Sequence, residues 1–309
     1  MTSNLITDLL QICIVSENLE ETVQRLADNF GIGPWKCWDF RPPAILGTHR
    51  NGEPENWTFK QAIAWVGGVQ LEVIESTSGA TAYRDYIDKH GECIHHLLVD
   101  TKPSYHDATQ AFERLDYPVI QAAKINPPML VGSVTLPPLP GLIAKTYATQ
   151  FVYLDTEEDL GTVLELAKMP PGISFPMAVR LGKPDFTINP ATNGPKIEQI
   201  DRVGIVVPDL DKAVTNWESV GIAPWVEGTD TNARTAAATL SPLTIELVQP
   251  TGDGVYKSLL DTQGAGVRFL QVSGIDAAKF AELDCPQIAS TESGTFFDAR
   301  SLVHTVFRI

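Results

Sequence analysis

The 309-residue chain is short of thiols, of cations and of long apolar runs. Its four cysteines, Cys13, Cys37, Cys93 and Cys285, are far apart and form no Cys-x-x-Cys pair. That spacing excludes a disulfide framework and a thiolate zinc knuckle as organising features, and it fits a reducing cytoplasm. Lys and Arg total 23 against 38 Asp and Glu, a formal net charge of -15. With no basic run, the field of the whole protein repels phosphate backbones and anionic lipid, so neither nucleic acid nor a membrane is expected as a partner. A small anionic substrate stays admissible, because one local cation or metal ion can reverse the sign inside a pocket. No stretch reaches the ~18 apolar residues of a membrane span. The opening MTSNLITDLLQICIVS has no basic region and carries Asp8 inside its apolar stretch, so no signal peptide or anchor is expected.

What is there is a duplication. QICIVSENLEETVQRLADNFGIGPW from Gln11 is echoed by RVGIVVPDLDKAVTNWESVGIAPW from Arg202, and LEVIES around Glu72 by IELVQP around Glu246. YRDYIDKHGECIHHLLV from Tyr83 matches YKSLLDTQGAGVRFLQV from Tyr256, and FVYLDTEEDLGTVLEL matches the terminal FFDARSLVHTVFRI. Matched segments in matched order mark a tandem repeat. Between the copies, Pro170, Pro171, Pro176, Pro184, Pro190 and Pro195 deny the backbone the donors that a central strand or long helix needs. The expected division is a domain over 1–168, a proline-rich linker or surface strap over 169–197, and a second domain over 198–309.

A fainter repeat lies inside the first copy. LLQICIV reads as a strand, followed by a helix whose Leu19, Val23 and Leu26 form an apolar stripe, with Asn18 and Glu21 spaced as a capping box. HHLLVD then leads into HDATQAFERLDYPV, the same strand-then-helix order. Each half closes on a strand with a carboxylate among apolar neighbours, Glu72 in one and Glu165 in the other. Strand side chains alternate faces, so Gln11 points away from Leu10, Ile12 and Ile14. Strict alternation groups His96 with Ile94 and Leu98, and places His95 with Leu97 and Val99 toward the helices as a structural residue. If the halves are related by a pseudo-twofold axis, Gln11, Glu72, His96 and Glu165 converge on one concave surface. Any one of them alone is unremarkable in a strand. Together, one amide oxygen, one imidazole and two carboxylates suit a six-coordinate hard or borderline divalent ion with two positions left for substrate or water.

GIGPW, QLEVIES, the YxxYIxxHGECIHH run and YLDTEEDLGTVLEL resemble the vicinal oxygen chelate superfamily, which includes glyoxalase I, methylmalonyl-CoA epimerase, extradiol dioxygenases and drug-sequestering proteins. The resemblance covers nearly all of the first copy and, more weakly, the second. It implies an α+β fold of tandem domains, each of two βαβββ modules forming a U-shaped mixed sheet. It also implies one divalent ion, Zn, Mg, Mn, Co or Ni ahead of Fe, with Gln11, Glu72, His96 and Glu165 at the ligand positions. The wording GIGPW and HGxxIHH is nearest the epimerase branch, whereas the ligand order resembles glyoxalase I. Epimerases usually carry His where this chain has Gln11.

Non-haem Fe(II) oxygenases use two imidazoles and one carboxylate, and only His96 is an imidazole here. The expected activity is therefore a metal-dependent isomerase, epimerase or lyase that moves a proton next to a chelated carbonyl of a small vicinal-oxygen substrate, with Glu165 as base. The alternatives are a non-catalytic binder and, behind it, a ring-cleaving dioxygenase. In the long insert between Trp35 and Glu72, His49 is a second candidate proton carrier and Arg50 a candidate clamp for a substrate carboxylate or phosphate. Trp35 and Trp57 are candidate substrate walls. His90 and His106 read as surface residues, and His304 has no evident partner. In the second copy Gln11 becomes Arg202, His96 becomes Phe269 and Glu165 becomes Arg308, so the site is lost, with Arg202 expected to pair with Glu246. That copy would then support the first, close its cleft or form a subunit contact, which allows a homodimer.

Overall fold

A computed structural model describes residues 5–191, 194 and 196–309. The first copy runs β1 (Ile6–Val15), α1 (Leu19–Phe30), β2 (Trp35–Phe40), β3 (Ile45–Arg50), β4 (Glu53–Pro54), β5 (Thr58–Val66) and β6 (Val69–Ser78). It continues through α2 (Ala82–His90), β7 (Cys93–Thr101), α3 (Tyr105–Arg114), β8 (Val119–Ile125), β9 (Met129–Val131), β10 (Val134–Leu136), α4 (Gly141–Tyr147), β11 (Thr149–Leu154), α5 (Glu157–Leu160) and β12 (Val163–Lys168). Helix α1 starts where Asn18 accepts from the Glu21 backbone N–H, and it stops at Gly31 in the left-handed conformation. Glu21 answers through the Asn18 side-chain amide at 3.0 Å rather than the cap's backbone N–H, which Ser16 takes. The stripe of Leu19, Val23 and Leu26 is buried, as its spacing predicts.

The two modules show in the strand order. β2-β5-β6-β1 meets β7-β12-β11-β8, with β1 and β7 antiparallel at the centre, and β1 to β6 and β7 to β12 parallel. This is a U-shaped mixed sheet of two βαβββ units. The long insert does not stay with its own module. β3 crosses to pair with β8 at the far edge, so the insert forms a wall joining the two arms of the U. Apolar residues sort accordingly. Ile12, Ile14, Leu97 and Val99 face the helix layer, while Cys13, Val15, Phe59, Phe151 and Tyr153 fill the concave side.

The segment after β12 is structured. It forms α6 (Phe175–Leu181) and then β13 (Phe186–Ile188), which adds to the β2 edge of the first sheet. It is a strap integrated into the first copy rather than a passive connector; Pro195 lies outside the described residues. The second copy comprises β14 (Gln199–Val206), α7 (Leu210–Ser219), β15 (Val226–Asp230), β16 (Ala233–Leu240), β17 (Leu243–Pro250), α8 (Val255–Gln263) and β18 (Gly266–Ser273). It ends with α9 (Ala277–Glu282), β19 (Gln287–Thr291), β20 (Gly294–Asp298), α10 (Arg300–Val303) and β21 (Val306–Arg308). Its sheet order, β15-β16-β17-β14-β18-β21-β20-β19, repeats the plan of the first.

The copies meet helix layer to helix layer. One continuous apolar core contains Phe30, Leu160 and Leu164 together with Trp217, Phe280 and Phe307. Trp217 Nε1 donates to the Leu160 carbonyl across the junction. Gly161, with φ +68°, comes so close to the second copy that a Cβ there would lie 2.7 Å from Ile205. No helix among the described residues is long and apolar enough to cross a membrane.

Candidate metal centre

Register puts donors in rows across the floor of the U. Cys13 on β1 lies opposite Glu72 on β6 and His96 on β7, and two residues along Gln11 lies opposite Gln70 and Leu98, with Glu165 beyond on β12. Strict alternation fails at one point. The β1–β7 ladder slips between Cys13↔His96 and Ile14↔Ile94, leaving His95 as the extra residue of a β-bulge. His95 and His96 therefore both turn to the concave side, where His95 packs on Tyr83 and Tyr86 of α2 and on Tyr153, while Ile94 joins the core shared with α1 and α3 on the other face. The expectation that His95 faces the helix layer is corrected by this bulge.

His96 is completely buried, with Nε2 at 2.9 Å from Glu165 Oε2 and 3.2 Å from Glu72 Oε2. Glu72 Oε1 accepts from Gln61 Nε2. Yet His96 Nε2 and Glu72 Oε2 make no hydrogen bond of good geometry with any described residue. Buried polar atoms normally find partners, and two unpartnered donor atoms 3.2 Å apart fit a coordination site. Burial alone lowers the pKa of His96, but Glu165 and Glu72 outweigh it and hold the ring up to about 9. Burial and the Glu72 charge raise Glu165 against the opposing pull of His96. A dication entering the cluster would displace the proton that the His96 ring holds there.

His96 Nδ1 lies 2.8 Å from His95 Nδ1. Burial and the His96 charge lower the pKa of His95 well below the usual range, so His95 is neutral. For His96 to ligate through Nε2 its proton must sit on Nδ1, where His95 Nδ1 accepts it; the ring is oriented by a second imidazole. Gln11, its amide nitrogen donating to Gln70 Oε1 at 3.0 Å, has its carbonyl oxygen available to the cavity.

Above the floor lies a cavity of about 80 Å³. Gln11, Gln61 and Glu165 form its polar end, and Phe40, Phe59 and Phe151 are among its aromatic walls. Phe175, Ala178, Val179 and Gly182 of the strap close one side. Gln11, Glu72, His96 and Glu165 are thus brought together. The insert candidates are not. His49 lies half-exposed on β3 with Nδ1 2.9 Å from the Gly47 carbonyl, beside a separate groove. Arg50 donates to the Ile120 carbonyl and pairs with Asp85 on α2. Trp35 is buried in the helix-side core, its indole N–H donating to Ile32. Trp57 stands one layer behind the cavity, packed on Phe59, Tyr83 and Phe151. Cys13, His95, Gln61 and Gln70 are the cluster members that reading from sequence passes over. His90 and His304 are not solitary either: His90 bonds Glu157 and the Gln263 carbonyl, and His304 lies 2.9 Å from Thr22 Oγ1.

In the second copy, Arg308 occupies the place of Glu165 and Phe269 that of His96. Glu246 pairs with Arg308, not with Arg202, because position 308 lies across the floor from it. Arg308 also bonds Gln271 and Ser293 and lies 4.7 Å from the centre of the Phe269 ring. Gly204 stands where Cys13 does, and a Cβ there would be 2.0 Å from that ring. The larger ring and the glycine are one coupled change, which fills the space that the first copy leaves to donors.

Residues 10–128 and 201–281 match the family described as the Glyoxalase/Bleomycin resistance protein/Dioxygenase superfamily. The chain belongs to this superfamily. The two matched segments fall one in each copy, so the tandem organisation is a duplication of the superfamily's domain. Among solved structures, a mutant of 4-hydroxymandelate synthase from Streptomyces coelicolor is similar over 90% of this chain and 74% of its own, at 15% identity and a TM-score of 0.52. A xylose isomerase-like TIM barrel/4-hydroxyphenylpyruvate dioxygenase fusion protein is similar over 93% of this chain and 40% of its own, at 12% identity and a TM-score of 0.49. At such identities the first likeness speaks to the fold alone. No curated protein matches the chain.

Proposed function

We propose that the chain is a metal-dependent isomerase, epimerase or lyase that moves a proton next to a carbonyl of a small substrate with vicinal oxygens. The observation that carries this reading is the double placement of Glu165, which lines the cavity and also contacts His96 Nε2 at 2.9 Å. Glu72 and His96 lie behind it, Glu72 1% exposed and His96 fully covered. A divalent ion held by His96, Glu72, Glu165 and Gln11 would supply Lewis-acid polarisation of the substrate carbonyl. The chain's own contributions are distinct from that. Glu165 accepts the proton from the carbon next to the carbonyl and returns it, Gln11 and Gln61 orient the oxygens, and the aromatic walls exclude water.

The walls also narrow the substrate. No Lys or Arg among the described residues lines the cavity, while Trp38, Phe40, Phe59 and Phe151 do. A phosphate or peptide-carboxylate handle finds no partner inside, so an apolar or aromatic 2-oxo or 2-hydroxyketo compound fits better than an acyl-CoA thioester or a glutathione adduct. One imidazole with two carboxylates also departs from the two-imidazole facial triad of Fe(II) oxygenases.

The test is incubation of the ion-loaded protein with aromatic and aliphatic compounds of that class in heavy water, with dissolved oxygen monitored in parallel. Metal-dependent deuterium uptake next to the carbonyl is expected. Glu165→Gln should lower it by ~10²–10⁴-fold while substrate still binds. Tight binding without exchange would make the protein a sequestering one, and oxygen consumption in step with substrate loss would make it a dioxygenase.

A further inference from the structure

The cysteine content argues against a thiolate site when cysteines are counted in pairs, but the fold gives one of them different neighbours. Cys13, Glu72 and His96 each offer a ligand atom, and these three atoms lie within 4.8 Å of one another. All three residues are buried, on adjacent strands of the same floor. Cys13 is directly opposite Glu72 in the parallel ladder and His96 in the antiparallel one, so the convergence follows from backbone register. The thiol's only hydrogen bond among the described residues is a long one, 3.5 Å, to the Ile14 carbonyl. The orphaned Glu72 Oε2 and His96 Nε2 supply the independent sign of a ligand at this spot.

We infer that Cys13 is a metal ligand, its thiolate joining His96 and Glu72 at the deep end of the site, while Gln11 and Glu165 face the cavity. This rests on the metal site proposed above and deepens it. The chemistry follows from the donor set. Thiolate with imidazole selects Zn(II) or Co(II), whereas carboxylate and amide oxygens alone leave Mg(II) and Mn(II) in competition. Binding requires the thiol to lose its proton to solvent as the sulfur–metal bond forms, with no change of oxidation state. With Cys13, Glu72 and His96 as its ligands, an ion would not depend on Glu165 for its retention, which would leave that carboxylate to act as base. Of this set the second copy keeps only Glu246, at the place of Glu72, with Gly204, Phe269 and Arg308 at the places of Cys13, His96 and Glu165.

The experiment uses the full chain, stripped of metal and titrated with Co(II), then Zn(II). Wild type is expected to bind one Co(II) with a thiolate-to-cobalt charge-transfer band in the near ultraviolet. Cys37, Cys93 and Cys285 do not adjoin the cluster, so the wild-type spectrum already bears on Cys13. Cys13→Ser, and Cys13→Ala as a second variant, should lose the band, still bind Co(II), and weaken Zn(II) binding by roughly 10–100-fold or more. The preference for Zn(II) over Mg(II) should fall with it, and one proton fewer should be released per Zn(II) bound. A wild-type Co(II) complex without the band, or a band that persists in Cys13→Ser, overturns the inference and leaves the imidazole–carboxylate site standing. Failure of wild type to take up any Co(II) or Zn(II) overturns both.

Discussion

Removing one partner of the Glu246–Arg308 pair tests what holds the concave side of the second copy together. Arg308 is fully buried, its side chain 1% exposed, and Glu246 is the carboxylate it touches. Glu246→Ala strands a guanidinium beneath the Phe269 and Phe296 rings, and breaking a buried pair from one side costs roughly 3–5 kcal/mol. Gln271 at 2.8 Å and Ser293 at 2.9 Å remain as acceptors, and Asp230 stands behind Ser293 and Tyr256, so the lower end of that range is expected. At roughly 2–4 °C per kcal/mol, the melting temperature should fall by on the order of 10 °C. The double variant Glu246→Ala with Arg308→Met removes both charges and replaces the arginine with an apolar chain of similar length, so most of the loss should return. Differential scanning calorimetry of the single and double variants gives the comparison, and metal content should be unchanged in both. A single variant that melts with wild type, or a double variant no better than the single, would refute the reasoning that charge stranding sets the cost.

Asp230 carries a pH prediction. Burial raises its pKa, but hydrogen bonds from Ser293, Tyr256 and the Thr231 backbone outweigh burial and hold it at about 2. Because the folded value lies below the unfolded ~3.9, its contribution of about 1–2 kcal/mol is present above pH ~4 and fades as pH falls toward 2. Asp230→Asn should flatten that part of the urea-midpoint profile, and an unaltered profile would count against it. Titration with Zn(II) should show one ion per chain and a rise in stability of about 2.7 kcal/mol at a hundredfold excess over Kd; two equivalent ions would contradict the loss of donors in the second copy. The fragment Met1 to Lys168 should associate or stay unfolded, because it exposes the Phe30, Leu160 and Leu164 face and lacks the strap; a soluble monomeric fragment with wild-type metal content would show that the shared core is dispensable.

The duplication, the α1 stripe and the four-residue constellation are legible because they depend on local periodicity and on correspondence between repeats, which a single chain records. What escapes depends on register. The bulge at His95 cannot be counted from alternation, since one extra residue leaves Leu97 and Val99 looking ordinary while it turns His95 around. Cys13 is lost for a related reason: a rule that seeks paired cysteines does not see one whose partners lie on other strands. Alignment alone makes Arg202 a plausible mate for Glu246, but the floor of the U brings position 308 to that carboxylate. The insert is the least legible part. His49 and Arg50 have catalytic chemistry, yet β3 spends them on the far edge strand, and a crossing of that kind leaves no trace in composition.

The second copy can lack most of the donors and still contribute to the core of the first. Each sheet has two faces, and the candidate donors of the first copy lie on the concave one. The opposite faces, with their helices, share a single apolar core in which Phe30 of one copy packs on Phe280 and Phe307 of the other. Substitutions on the concave face of the second copy therefore leave the shared layer intact. A Phe ring over Gly204 and an Arg–Glu pair convert a donor cluster into a packed lumen without disturbing Trp217 or Phe307 on the reverse of the same sheet. Junction contacts such as His90 to Gln263 and Arg268 to Cys93 run from the second copy to α2 and β7, the elements that lead into and carry the His95–His96 bulge. The second copy thus touches the elements of the centre through the back of the sheet and the ends of β7, while its own concave side is closed by packing.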